Sequence, residues 1–255
     1  MWTIRQEQAE TFRQHHLRKF EDEMVEHLAK FAPKHWKSIC EQSGRQVIRL
    51  GIAQAKKYEF KMRGPVRFYI ELMFMFGSDF DTDPQCSWAS AVLNAANLDE
   101  AERSDRLYYR LRDYMLEVLG MDRQHEISAL RRVLQIRMEE FTSSKANLQD
   151  SIIAGLRSTY RQKFEYVGAP VIHQLVSHSF KTAARFALTN PGGVGVIALT
   201  SFMLGHRCYA DPIFPWVSGI LLDRGQSDPR PRDERLLQTA KSFFADLITE
   251  MESRN

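Results

Sequence analysis

Three aspartates stand at alternate positions in GSDFDTDPQCSW: Asp79, Asp81 and Asp83. Carboxylates spaced this way open a calcium loop of the helix–loop–helix kind. The rest of such a loop is missing: its sixth position requires glycine and holds Pro84, and its twelfth requires glutamate and holds Ser90. A second group of reactive types is His206, Cys208 and Asp211, which could ligate a metal or activate a thiol. Spacing for four ligands is absent there too. The glycine-rich NPGGVG, residues 190–195, lacks the Lys-Ser/Thr of a phosphate loop and follows no strand. It reads as a tight helix–helix connection, as does MRGPVR at residues 62–67. The eight histidines form no HExxH, and no GxSxG is present. These residues predict no catalytic group, no metal and no cofactor.

The elements that position them read as helices. Leu17, Phe20, Met24, Leu28 and Phe31 step along one helix face. Leu107, Leu111, Tyr114, Met115 and Val118 do the same. So do Phe141, Leu148, Ile152, Leu156 and Tyr160, with Lys145 in the open step. No segment alternates apolar and polar residues between hairpin turns. Breakers separate the helices at Pro33, Gly64-Pro65, Asp83-Pro84, Gly168–Pro170, Asn190–Gly193, Asp211-Pro212 and Asp228–Pro231. The fold class is all-α.

FMFGSDFDTDPQCSWASAVL, from Phe74, pairs with FMLGHRCYADPIFPWVSGIL, from Phe202. Gly77, Asp83, Pro84 and Trp88 recur as Gly205, Asp211, Pro212 and Trp216, all at an offset of 128. The pattern predicts a helical bundle built by internal duplication. Copy one spans 1–122 and copy two 123–255, packed as one compact unit because each copy alone exposes an apolar face. Asp83 and Asp211 suit helix N-caps, Pro84 and Pro212 the first helical turn, and the two tryptophans then face the core. Asp79 and Asp81 match Arg207 and Tyr209, so the acidic pair belongs to one copy and reads as an exposed contact or a weak cation site.

The chain has 255 residues, 44% hydrophobic and 26% charged, with a formal charge of +3. That is globular composition, and the even charge argues against nucleic acid as a partner. Lys56, Lys57, Lys61, Arg63 and Arg67 interleave with aromatics, but at helical spacing they form a solvated face around core rings; Arg63 and Arg67 remain candidates for an acidic partner. Three cysteines without a CxxC pair, no signal-type leader and no apolar run near 20 residues predict a cytoplasmic chain without membrane insertion.

GPVRFYIELMFMFGSDFDTDPQCSW, with FEDEMVEHLAKFAP and RLGIAQAKKY, resembles a bacterial protein family associated with type VI secretion gene clusters. The resemblance covers about residues 1–120, with GHRCYADPIFPW as a degenerate echo in copy two. It carries over no catalytic residue. It implies a cytoplasmic accessory protein whose partner is another protein: an effector, a spike component or a toxin. The function expected is an effector-loading adaptor or co-chaperone, with Asp79, Asp81, Arg63, Arg67 and His206 as partner-binding candidates. The alternatives are an immunity protein, and an enzyme with a cleft site where Asp79, Asp81, His206 and Cys208 converge.

Overall fold

The computed structural model describes residues 6–142, 147–223, 228 and 230–253. All regular structure among them is helical. In chain order the α-helices are α1 (Gln6–Phe31), α2 (Pro33–Ser38), α3 (Glu41–Lys57), α4 (Arg63–Phe76), α5 (Ser87–Leu93), α6 (Glu100–Tyr114), α7 (Gln124–Gln135), α8 (Leu148–Thr159), α9 (Arg161–Val167), α10 (Ala169–Arg185), α11 (Pro191–Leu204), α12 (Pro215–Leu222) and α13 (Arg232–Glu252). Proline opens α2, α11 and α12, where a missing N–H costs nothing. A reciprocal cap between Asp99 and Glu102 opens α6. One turn on, buried Arg103 donates to the carbonyls of Val92, Leu93 and Ala95 at and just beyond the end of α5.

In α1, Met24 and Leu28 are fully buried while Leu17 is exposed, so the apolar stripe meets the core only in the second half of the helix. Phe141 lies in a 3-10 turn ahead of α8; Lys145, expected to join the two, lies outside the described residues.

The two halves of the chain share element boundaries. Helices α3 and α10 are both 17 residues long and begin at Glu41 and Ala169; α4 and α11 are both 14, from Arg63 and Pro191. Helices α2 and α9 begin at Pro33 and Arg161, and α5 and α12 at Ser87 and Pro215. Each of these starts is 128 residues from its counterpart. Left-handed Glu59 and Ala187 end corresponding stretches. Helices α1 and α8 differ in length, at 26 and 12 residues, but their ends at Phe31 and Thr159 keep the same offset.

Helices α4 and α11 carry the core. Helix α4 is buried along Tyr69–Phe74, except for Glu71, against α3, α1 and α6. Helix α11 is buried all round, by α10, α8, α13 and the turn at 138–142. This corrects the reading of NPGGVG as a connection, because Gly192–Gly195 lie inside the helix. A Cβ on Gly195 would fall 2.2 Å from Phe141 Cγ, so the glycine is a close-approach site. MRGPVR is likewise the start of α4.

Trp88 is buried between Phe76 and Tyr114, whereas Trp216 packs on Phe243 and stays partly exposed. Trp88→Ala is expected to cost about 3 kcal/mol, the low end for a core tryptophan because its buried indole N–H has no partner. Trp216→Ala is expected to cost about 2 kcal/mol. Urea unfolding of both variants checks the order.

Candidate functional site

Helices α4 and α11 end on Gly77 and Gly205, at φ/ψ of 97°/155° and 109°/150°. The loops that follow cross back to back. A Cβ on Gly77 would stand 2.9 Å from the Leu204 carbonyl oxygen, and one on Gly205 2.7 Å from that of Phe76. Each loop's aspartate bridges the crossing. Asp83 Oδ1 accepts its local Gln85 N–H at 2.9 Å, and Oδ2 accepts the His206 N–H of the other loop at 2.8 Å. Asp211 Oδ1 accepts Ile213 N–H at 2.8 Å, and Oδ2 accepts Ser78 N–H at 2.7 Å. The expected capping role holds for one oxygen of Asp83, which caps the 3-10 turn at Pro84, but Asp211 makes its local bond in a turn that opens no helix, α12 being entered from Phe214. Pro84 begins a 3-10 turn, but Pro212 sits in a plain turn and α12 starts at Pro215, which corrects the expected helical position.

The bridge is chemically asymmetric. Burial would raise the Asp83 pKa, but the His206 imidazole at 3.4 Å and the Gln85 and His206 N–H groups hold it below the usual carboxylate value. Asp211 has serine in place of that imidazole. Burial, helped by the charge of Asp79, pushes its carboxyl up to about 6 against the pull of two N–H groups.

Asp79, Asp81, His206 and Cys208 sit around this crossing, and Arg63 and Arg67 in the opening turns of α4 at its other end, each engaged. Asp79 is partly buried and faces Arg207 at 3.6 Å. Asp81, expected in an exposed acidic loop, is buried and accepts the Tyr58 hydroxyl at 2.9 Å. Arg63 pairs with Glu23, and Arg67 with Glu71 at 2.9 Å. Cys208 is buried beside Ser201, and burial pushes its thiol up to about 12. The four residues of the enzyme alternative share the crossing, yet Asp79 and Asp81 are paired, His206 serves Asp83 and Cys208 stays protonated. Among the described residues no group of three or more His, Cys, Asp or Glu is placed to hold a metal. Asp79→Ala is expected to change stability by no more than about 0.5 kcal/mol, since it loses one partly exposed pair and relieves Asp211; a thermal melt checks it.

Beside the crossing lies a cavity of about 620 Å³. The ends of both core helices line it, with Phe74, Met75 and Phe76 from α4 and Met203 and Leu204 from α11. Phe31, Phe68, Tyr114, Phe214 and Phe244 extend its apolar wall. Tyr108 and Met115 line it while remaining exposed, so they mark its mouth. Tyr109, Leu116 and Met121 are exposed in the same stretch of chain. The backbone there is irregular: a π turn covers Met115–Leu119, and consecutive Asp122 and Arg123 are left-handed at φ 51° and 57°. Such backbone clusters at functional sites.

Five carboxylates, Glu71, Asp83, Asp122, Glu126 and Glu250, line the cavity with two cations, Arg123 and Lys163. Arg123 Nε pairs with Glu126 at 2.5 Å. His35 is neutral at pH 7, its pKa lowered to about 4 by burial and then by Arg123 and Lys34. Lys163 donates to the Phe202 carbonyl and lies over the Phe202 ring, 5.1 Å from its centre. His35 and Lys163 are the third residues of α2 and α9, each followed by an aromatic, Trp36 and Phe164. That match at the 128-residue offset was the one sequence signal for Lys163, and no motif marks Arg123 or Glu126.

A second cavity of about 620 Å³ is lined by Arg185, Arg230, Arg232 and Arg235. Arg230 and Arg235 are already paired with Asp228 and Asp223, each at 2.6 Å. No described helix is long and apolar enough to cross a membrane. Comparison of the chain with protein-family models, curated proteins and solved structures finds no match.

Proposed function

We propose that this chain is a protein-binding accessory factor of a bacterial secretion system, an effector-loading adaptor or co-chaperone. The observation that carries the protein-binding part is the apolar cleft between the core helices, with exposed Tyr108, Tyr109, Met115, Leu116 and Met121 at and beside its mouth. Apolar rims of this kind mark interaction sites, and methionine-rich walls adapt to differing partners. The secretion context rests on the sequence resemblance. The immunity alternative has Asp79 and Asp81 as its first candidates, and these pair with Arg207 and Tyr58.

The fold is read as an internal duplication, copies 1–122 and 123–255 packing into one unit around the Gly77–Gly205 crossing. The coincident boundaries of α2–α5 and α9–α12 support this, as do the reciprocal aspartate bonds.

The test is quantitative co-purification from the native bacterium. The tagged chain is compared with a Tyr109→Glu, Leu116→Glu double variant. Both positions are more than half exposed, so stability should stay within about 0.5 kcal/mol per substitution. The expected result is an effector or spike protein in stoichiometric amount with the wild type and at least roughly tenfold less with the variant, as loss of a hot-spot contact gives. Equal recovery with both removes the rim from the interface. No co-purifying protein sinks the partner reading.

A further inference from the structure

The cavity wall holds one partly buried ammonium, that of Lys163, which forms no ion pair within 4 Å among the described residues. The carboxylates along the wall have partners: Glu71 has Arg67 and His27, Glu126 has Arg123, and Asp83 has His206. Glu250 accepts the Lys34 N–H at 2.9 Å, and Asp122 is exposed. Lys163 has only the Phe202 carbonyl and ring, and no described carboxylate within 4 Å. One of its three N–H groups serves that last-turn carbonyl of α11, which leaves two. Burial lowers its pKa, opposed by Cys86, Asp83 and Glu126, so the ammonium is poorly solvated where it stands.

We propose that the cavity is a binding site for an amphipathic monoanion, an alkyl carboxylate of the fatty-acid type. Its chain lies among Phe74, Met75, Met203 and Phe244, and its carboxylate accepts from Lys163 Nζ. The volume of about 620 Å³ falls within the roughly 300–1,000 Å³ of small-molecule sites, whose walls are likewise apolar with a few placed polar groups. A monoanion fits better than a phosphate, because Lys163 is a single point charge and the charges of Asp83 and Glu126 act on it from nearby. The two N–H groups of Lys163 match one carboxylate as charge-assisted hydrogen bonds. The site is the interior of the cleft whose exposed mouth is invoked for the protein partner, and it takes a different ligand.

The probes are decanoate, decan-1-ol, decyl phosphate and decyltrimethylammonium, titrated calorimetrically into the intact protein below their micellar concentrations. Decanoate is expected to saturate one site, about tenfold tighter than each of the other three, the usual yield of one hydrogen bond to a charged group. Lys163→Met should erase the preference over decan-1-ol, and Lys163→Arg should restore it. Met75→Trp fills the cavity and should abolish decanoate binding, which keeps the test intact if Lys163→Met does not fold. Absence of decanoate binding, tighter decyl phosphate binding, or an undiminished preference in Lys163→Met overturns the proposal. Co-purification through the rim is measured separately, so either reading can fail alone.

Discussion

Gly205→Ala is expected to lower stability by about 5 kcal/mol, with Gly77→Ala close behind. Two costs add. At φ 109° and ψ 150° the backbone occupies a region essentially reserved for glycine, and a side chain there costs about 1–3 kcal/mol. The new Cβ would also meet the Phe76 carbonyl oxygen at 2.7 Å. That oxygen belongs to a helix end already seated against the facing loop, so relief requires the two loops to part. Overpacking of this kind costs about 1–3 kcal/mol more, at the high end when backbone is the obstacle. Since whole domains are stable by about 5–15 kcal/mol, the variant should be partly unfolded at 37 °C. Gly219→Ala is the control: nothing lies within 4 Å of its added Cβ, and it sits inside α12. It should gain up to about 1 kcal/mol from helix propensity. Urea midpoints decide. Equal shifts for Gly205→Ala and Gly219→Ala would mean that the crossing is not tightly held.

Local patterns were legible in the sequence where neighbours along the chain decide the outcome. The stripe through Met24 and Leu28, the proline starts and the Asp83 cap are of that kind. Contacts between distant segments were not legible. Each aspartate's second oxygen bonds a residue 123 or 133 positions away, and a cap pattern contains no term for it. Asp81 looked exposed because its neighbours are polar, yet one phenol, Tyr58, is enough to satisfy it in the interior. NPGGVG looked like a loop because glycine breaks isolated helices; here the space a side chain would need is taken by Met138 and Phe141. Lys163 lies in a polar heptapeptide, RQKFEYV, in which nothing separates a partly buried lysine from a solvated one.

Removal of the Asp83 carboxylate, by Asp83→Ala, is expected to cost about 4 kcal/mol at pH 7. It strands the N–H groups of His206 and Gln85, at about 1–3 kcal/mol each, and leaves the His206 imidazole without its partner. The pH dependence separates the two bridging aspartates. Asp83 has a folded pKa below its unfolded value of about 3.9, so its contribution is present above that pH and is lost as acid takes the pH through the folded value. Asp211 runs the other way. Its folded pKa of about 6 lies above the unfolded one, so protonation favours the folded chain. That contribution is full below about pH 4 and gone once the pH has risen through about 6. Asp211→Asn abolishes the titration. The stability advantage of wild type over Asp211→Asn should therefore be larger at pH 4 than at pH 7.5 by about 2–3 kcal/mol. Parallel stability profiles for the two proteins would sink the assignment. A difference that instead grows towards alkaline pH would mean that its two backbone donors outweigh burial, which would make Asp211 a second Asp83 despite lacking the imidazole.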